Sequence, residues 1–392
     1  MKRIPLRRFA AGLIGIVFLA SGLLKMADPV GTMLIVTEYL KFFHIGFLIP
    51  AAKGIGIAIS LLEALTGIAL ITGVLRKITA WVTTGLLAFF TIVTLVLWIK
   101  NPQMDCGCFG QAIHLTHVQS LLKNVVMLAL ALWAFLPFGD FGKVPVRKIV
   151  SASIATASIL FAVVYCNTHL PLVDYTDFRV GAELMASLDD DIMADNHYRE
   201  ERTYVKDGQE GKFLPGHYPG DDWTLVRKDT VFVESTLSTE QFPILSFRNS
   251  ADEYCDAMAA QDKVVVFSVY EPSKAPWERI SAGYNAVLEA GGQPLVMLAC
   301  APSQASQFDI PEGLPVYFAD YKSLISLNRS NGGATYLSQG EIILKWSSKD
   351  APQDFGPAFR DDPVNLSTWM LSHSRLKAQG FCLYLAALLI LV

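Results

Sequence analysis

The 392-residue chain is 52% hydrophobic and 17% charged. Soluble domains carry about 25% charged residues, so this balance points to a membrane protein. Charge is also divided along the chain: residues 1–170 hold a net +9 and residues 171–392 a net −13. The split indicates two regions in different surroundings, and the acidic second half argues against nucleic-acid binding, which needs a basic surface.

Five apolar stretches approach the ~20 residues that cross a bilayer. They run from about Phe9 to Ala27, Ile49 to Leu75, Ile78 to Ile99, Val118 to Leu136 and Ile149 to Cys166. The first follows Lys2, Arg3, Arg7 and Arg8, as a signal peptide would. Its apolar run exceeds the roughly 7–15 residues of a signal core and further spans follow, which favours a retained anchor. With a cytoplasmic N-terminus the inner side holds nine basic residues, among them Arg76, Lys77, Lys143, Arg147 and Lys148. The outer loops hold four: Lys25, Lys41, Lys53 and Lys100. That bias places the loop between spans three and four, and everything after Cys166, on the outer face.

Residues 171–240 read as an extended connector with a few short strands, containing the acidic run Asp189-Asp190-Asp191 and turns at Asp207-Gly208 and Pro219-Gly220. A more regular region follows. Lys263–Tyr270 is a buried-strand run, Trp277–Ala290 a helix closed by Gly291-Gly292, and Pro294–Ala299 and Val316–Ala319 are further strands. A helix from about Tyr321 to Asn328 then precedes a hairpin, Ala334–Leu337 and Glu341–Trp346, turning at Gln339-Gly340. Alternating strands and helices ending in a hairpin predict a small α/β domain. The apolar end, Phe381 to Val392, covers only about 18 Å as a helix, which suits either a truncated sixth span or a helix dipping into the outer leaflet.

Chemistry concentrates in the loop Asp105-Cys106-Gly107-Cys108-Phe109-Gly110. Gly107 lets the backbone bend so that two cysteines one residue apart can reach the Cα separation of roughly 4.4–6.8 Å that a disulfide requires. Such a tight ring is strained, and strained disulfides are the labile, oxidising ones. Asp105 could accept a proton during exchange, although its charge would raise a neighbouring thiol's pKa. Three readings compete with redox exchange: a Cys-x-Cys-x5-His-x2-His zinc set formed by Cys106, Cys108, His114 and His117; two buried small hydrophobes; or a fixed structural disulfide. Within the spans, Glu63 costs at least ~2.5 kcal/mol unless paired or hydrated, and Lys25 is the partner within reach. The pair reads either as an interhelical clamp or as a proton or quinone site. After strand Lys263–Tyr270, where a thioredoxin-like fold carries its dithiol, the chain reads Glu271-Pro272-Ser273-Lys274-Ala275-Pro276-Trp277, without cysteine. Cys166, Cys255 and Cys300 are too widely spaced to fix any disulfide connectivity.

Ser21-Gly22-Leu23-Leu24-Lys25 with Asp28-Pro29, Glu63, and the Cys-Gly-Cys-Phe-Gly element resemble the DoxX/MauE family over about residues 5–140. These are bacterial redox-associated membrane proteins with a four-helix core, and members named for methylamine utilisation are thought to assist disulfide maturation of an exported dehydrogenase subunit. The resemblance implies that Cys106 and Cys108 are the redox pair; His114 and His117 fall outside its pattern. Leu170–Asp174, Phe178–Gly181 and the α/β region resemble a longer Bacteroidetes-type version with a degenerate thioredoxin-like outer domain. Here Asn331-Gly332-Gly333-Ala334 stands where a cis-proline is expected.

The expected architecture is therefore an α-helical membrane bundle, a four-helix DoxX-like core (1–140) plus a fifth span (141–170), then the connector (171–240). A degenerate thioredoxin-like domain (241–350) and a tail (351–392) complete it. The expected role is support of thiol–disulfide exchange, or maturation of exported proteins, at the bacterial inner membrane, with the soluble domain in the periplasm. The partners are the lipid bilayer and periplasmic protein thiols, and a quinone is the candidate electron acceptor. The alternatives are a non-catalytic scaffold with structural cysteines and a quinone-linked oxidase accessory subunit.

Overall fold

The computed structural model describes residues 3–102, 104–135, 144–184, 198–206, 209–213, 223–232 and 243–390. The acidic run at 189–191 and the two connector turns lie outside these residues, as do Lys2 and Lys143. The chain divides into two compact units, Met1–Thr176 with Leu371–Val392, and Asp177–Met370.

The first unit is helical: α1 (Arg3–Ala27), α2 (Pro29–Phe42), α3 (Ala52–Thr72, after a 3-10 turn Gly46–Ala51), α4 (Arg76–Lys100), a short extended segment β1 (Cys108–Gln111), α5 (His117–Phe135) and α6 (Val146–Thr168). Among the described residues, five stretches are long and apolar enough to cross a membrane: Leu6–Ala27, Gly46–Thr72, Arg76–Lys100, His117–Phe135 and Val146–Thr168. They are the five stretches expected from hydropathy. Helix α2 is an addition to them. Asp28 caps it by accepting from the Gly31 amide at 2.8 Å, and Pro29 occupies the first turn, where its missing N–H costs nothing.

Small residues set the spacing of α1 and α3. A Cβ on Gly22 would stand 2.6 Å from both the Ala64 nitrogen and the Ser60 oxygen, and one on Gly67 would stand 2.6 Å from the Leu19 nitrogen. Glycine at these positions lets two backbones touch, which is the usual basis of helix association where lipid removes the hydrophobic drive. Ile14, Phe18, Leu70, Leu87 and Met127 fill one buried core of the bundle. Hydroxyls within the helices return to their own backbone: Thr66 donates to the Leu62 carbonyl and Thr83 to that of Thr79.

Among its described residues the second unit holds two sheets. Strands β2 (Tyr198–Lys206), β3 (Gln209–Phe213) and β4 (Thr224–Phe232) form an antiparallel sheet in the order β3-β2-β4, within the stretch expected as a connector. The larger sheet contains β5 (Phe247–Arg248) and β6 (Val264–Val269), then helix α7 (Trp277–Glu289) and β7 (Gln293–Leu298). It continues with β8 (Val316–Ala319), helix α8 (Tyr321–Leu327), β9 (Gly333–Ser338) and β10 (Glu341–Trp346). Their order is β10-β9-β6-β7-β8-β5, with β6, β7 and β8 parallel and β9 antiparallel to both β6 and β10. β6 is buried at every position, as a strand covered on both faces must be, so it reads as an apolar run interrupted only at Ser268. The β9–β10 hairpin turns at Gln339 (φ 49°) and Gly340 (φ 80°), the positive pair that a two-residue hairpin demands.

A short helix α9 (Gly356–Arg360) leads into α10 (Pro363–Ile390). The apolar end is therefore the last part of a 28-residue helix. Leu385 and Leu389 are buried with Ala152, Ala155 and Ile159 of α6, and Ser151 donates to the Leu388 carbonyl at 2.5 Å.

Candidate thiol site

The close α1–α3 packing brings the two intramembrane charges together. Lys25 Nζ donates to Glu63 Oε1 at 2.7 Å and to Oε2 at 2.9 Å, and both side chains are buried. The ammonium also faces the Phe90 ring of α4, 5.7 Å from its centroid. A buried charge left single would be expensive; here each neutralises the other. Ser21, one turn before Lys25, places its hydroxyl 2.9 Å from Glu63 Oε2 and 2.6 Å from the Cys108 carbonyl oxygen.

That last contact ties the charge pair to the cysteine loop. Tyr39 of α2 grips the other cysteine, its hydroxyl donating to the Cys106 carbonyl at 2.6 Å. Between these two anchors Gly107 takes a left-handed conformation (φ 59°), and a Cβ there would run into Ile35. Gly110 is also left-handed (φ 63°), and its amide donates back to the Gly107 carbonyl at 3.2 Å. Both glycines of the motif are thus required by backbone shape, and that of Gly107 by space as well. Phe109 lies under the ammonium of Lys123 from α5, at 4.7 Å.

All six cysteines are free thiols. Cys106 is 5% exposed, whereas Cys108 is half-buried. Burial pushes the Cys106 thiol above its ordinary pKa, with Cys108 and Asp105 adding to the rise, while Ser120 and Lys123 pull it down. Its sulfur lies 2.9 Å from His117 Nδ1, and His117 Nε2 lies 2.9 Å from the Pro102 carbonyl oxygen.

The four candidate zinc ligands are not drawn into one cluster. Asp105 and His114 pair with each other at 3.2 Å on the exposed side of the loop. Among the described residues no group of three His, Cys, Asp or Glu side chains converges. The sequence offered both histidines equally; only the start of α5 at His117 separates them.

Cys106, Gly107 and Cys108 form part of the wall of a cavity of about 260 Å³. Its lining is mostly apolar, from residues such as Phe18, Ile35, Phe89 and Phe90, with Lys25 and Glu63 among its few polar groups.

In the second unit, the segment that lacks a dithiol is closed by a side chain. Asn331 accepts from the Glu271 amide at 3.0 Å and donates to the Glu271 carbonyl at 2.9 Å. Gly332 (φ 74°) packs so that a Cβ would meet Pro276 Cδ at 2.9 Å. Asn331-Gly332 therefore sits directly against Glu271–Pro276.

A polytopic helical bundle with a buried Lys–Glu pair beside a Cys-Gly-Cys loop, followed by an α/β unit, is the architecture of a multi-pass membrane protein. Residues 4–137 match the family described as Methylamine utilisation protein MauE. The membrane part of the chain is thus MauE/DoxX-like. No curated protein and no solved structure matches the chain.

Proposed function

We propose that this protein supports thiol–disulfide exchange with exported proteins, with Cys106 and Cys108 as the exchanging pair. The observation that carries this reading is the mounting of the loop. Two hydroxyls from different helices hold the two cysteine carbonyls, so the thiols are presented on a fixed base, one buried and one half-buried. A loop needed only to connect α4 to α5 has no use for such restraint. Nine basic residues on one side against four on the other support an outward-facing loop in the bacterial inner membrane, with the α/β domain in the periplasm.

The α/β domain acts as a docking module of degenerate thioredoxin-like form. Support comes from the parallel β6–β7 pair joined through α7 and followed by the antiparallel β9–β10 hairpin, with the Asn331–Glu271 clasp where a dithiol would stand. The apolar cavity behind Cys106 suits a small ring compound, and a quinone is the acceptor class that its largely apolar lining, with Lys25, Glu63 and Lys123 as its charges, favours.

Trapping tests the reading. Cells carrying Cys106→Ser should accumulate a mixed disulfide between Cys108 and an exported protein, visible on non-reducing gels. If that variant captures no partner and both single variants keep normal function, the cysteines are structural and the scaffold reading replaces this one.

A further inference from the structure

We infer that His117 is the proton acceptor for Cys106, and that Cys106 is the resolving cysteine while Cys108 is the one that meets the partner. This rests on the exchange function proposed above and adds to it a base and a division of roles. The starting point is the tautomer. The Pro102 carbonyl oxygen can only accept, so His117 Nε2, 2.9 Å away, carries a hydrogen. In the neutral ring Nδ1 is then bare, and at 2.9 Å from the Cys106 sulfur it accepts the S–H. Transfer of that proton leaves a thiolate beside an imidazolium whose two N–H groups are both satisfied. This is the arrangement of nucleophile, base and orienting third group that activates thiols generally.

Position supports the same assignment. His117 opens α5, and its ring is held by the loop that precedes the motif, so the base cannot swing away from the sulfur without losing the Pro102 bond. Ser120, one turn further on, has a buried hydroxyl beside the Cys106 sulfur that lowers the Cys106 pKa and makes no other hydrogen bond among the described residues. A thiolate would give it a charged acceptor. The other charged or titratable groups around the sulfur are Asp105 and Cys108 on the loop, Tyr39 on α2, Lys123 on α5 and the Lys25–Glu63 pair across the cavity. Burial alone would keep Cys106 a neutral thiol; a base in contact with it gives the proton a place to go without solvent.

Exposure divides the work. Half-buried Cys108 can reach a protein disulfide, whereas Cys106, 5% exposed, cannot. Cys108 sulfur attacks one partner sulfur, forming the mixed disulfide and releasing the other partner sulfur, which takes up the Cys108 proton. Cys106 then gives its proton to His117 Nδ1 and attacks Cys108 sulfur. The Cys106–Cys108 bond forms, the bond to the partner breaks, and the departing sulfur recovers the proton from His117. Two thiols of the pair are oxidised and one partner disulfide is reduced. The reverse sequence oxidises a partner dithiol.

The test uses the full chain in detergent with the other four cysteines replaced by Ser, and dithionitrobenzoate, a small aromatic disulfide whose released thiolate is coloured. The chain should release colour twice: once as Cys108 reacts and once as Cys106 resolves. His117→Gln should leave the first release unchanged and slow the second about tenfold or more near neutral pH, the deficit closing at alkaline pH. An unchanged second release in a variant that melts like the parent overturns the proposal. Should the variant not fold, the parent decides, because its second release must rise at lower pH than its first; the opposite order overturns the assignment. Normal two-step release with no partner trapped in cells would sink the exchange function and leave the Cys106–His117 pair standing. Trapped partners with an insensitive second release would do the reverse.

Discussion

Ser21 and Cys108 are 87 positions apart, and the hydroxyl of one donates to the carbonyl of the other at 2.6 Å. The same hydroxyl stands 2.9 Å from Glu63, but it has a single proton to give. The loop and the buried charge pair thus share one hydrogen bond. Ser21→Ala should cost about 1 kcal/mol and free the loop. Amide exchange at residues 107–111 should quicken in detergent while α3 stays protected; unchanged loop protection would show that Ser21 is not the anchor.

Lys25→Met leaves the Glu63 carboxylate buried beside an apolar cavity, and should lower stability by about 3–5 kcal/mol. Lys25→Met with Glu63→Leu should recover most of that loss, because both charges leave together. Thermal melts of the two singles and the double give the coupling. Additive losses would mean that the 2.7 Å pair contributes no mutual stabilisation.

Gly107→Ala combines a left-handed backbone with a side chain that meets Ile35. The backbone alone costs about 1–2 kcal/mol. The double variant with Ile35→Ala removes the collision and leaves the backbone cost, so it should melt between the parent and the single variant after allowance for Ile35→Ala by itself. A Gly107→Ala chain as stable as the parent would contradict the tight seat of the loop on α2.

A pH effect is expected at Glu341 in the α/β unit. Burial and the neighbouring Glu183 hold its carboxyl above the usual carboxylate range. A raised folded pKa adds stability that is complete below the unfolded value of about 4.3 and is lost as pH rises through the folded value. Glu341→Gln should therefore stabilise the unit near neutral pH and make no difference once the medium is acid enough to protonate both states. Hydrogen exchange at β10 across that range measures it, and a variant that gains equally at all pH values would point to another cause.

The spans were legible because some twenty apolar residues in a row have few other fates, and the β6-to-β10 region because buried strands and an amphipathic helix have distinct periods. Helix α2 was not, since fourteen residues containing Glu38 and Lys41 are too short and too mixed for a span. Its start was marked by Asp28-Pro29, a capping pair that reads equally well as a chain exit. Lys25 and Glu63 could be paired on paper because each is costly alone. Cys106 and His117 could not. Four Cys and His side chains within twelve residues suit several chemistries, and only a helix beginning at His117 and a carbonyl at Pro102 choose among them. Ser21 and Tyr39 were out of reach for the same reason, as hydroxyls whose acceptors are backbone atoms 87 and 67 residues away.

Helix α10 begins in the α/β unit and ends among the side chains of α6, so the domain has a tether at each end of its sequence. A single nick ahead of Phe247 would break one tether and leave the six-stranded sheet moored to the bundle through the other. Releasing the domain from the bundle therefore takes two cuts.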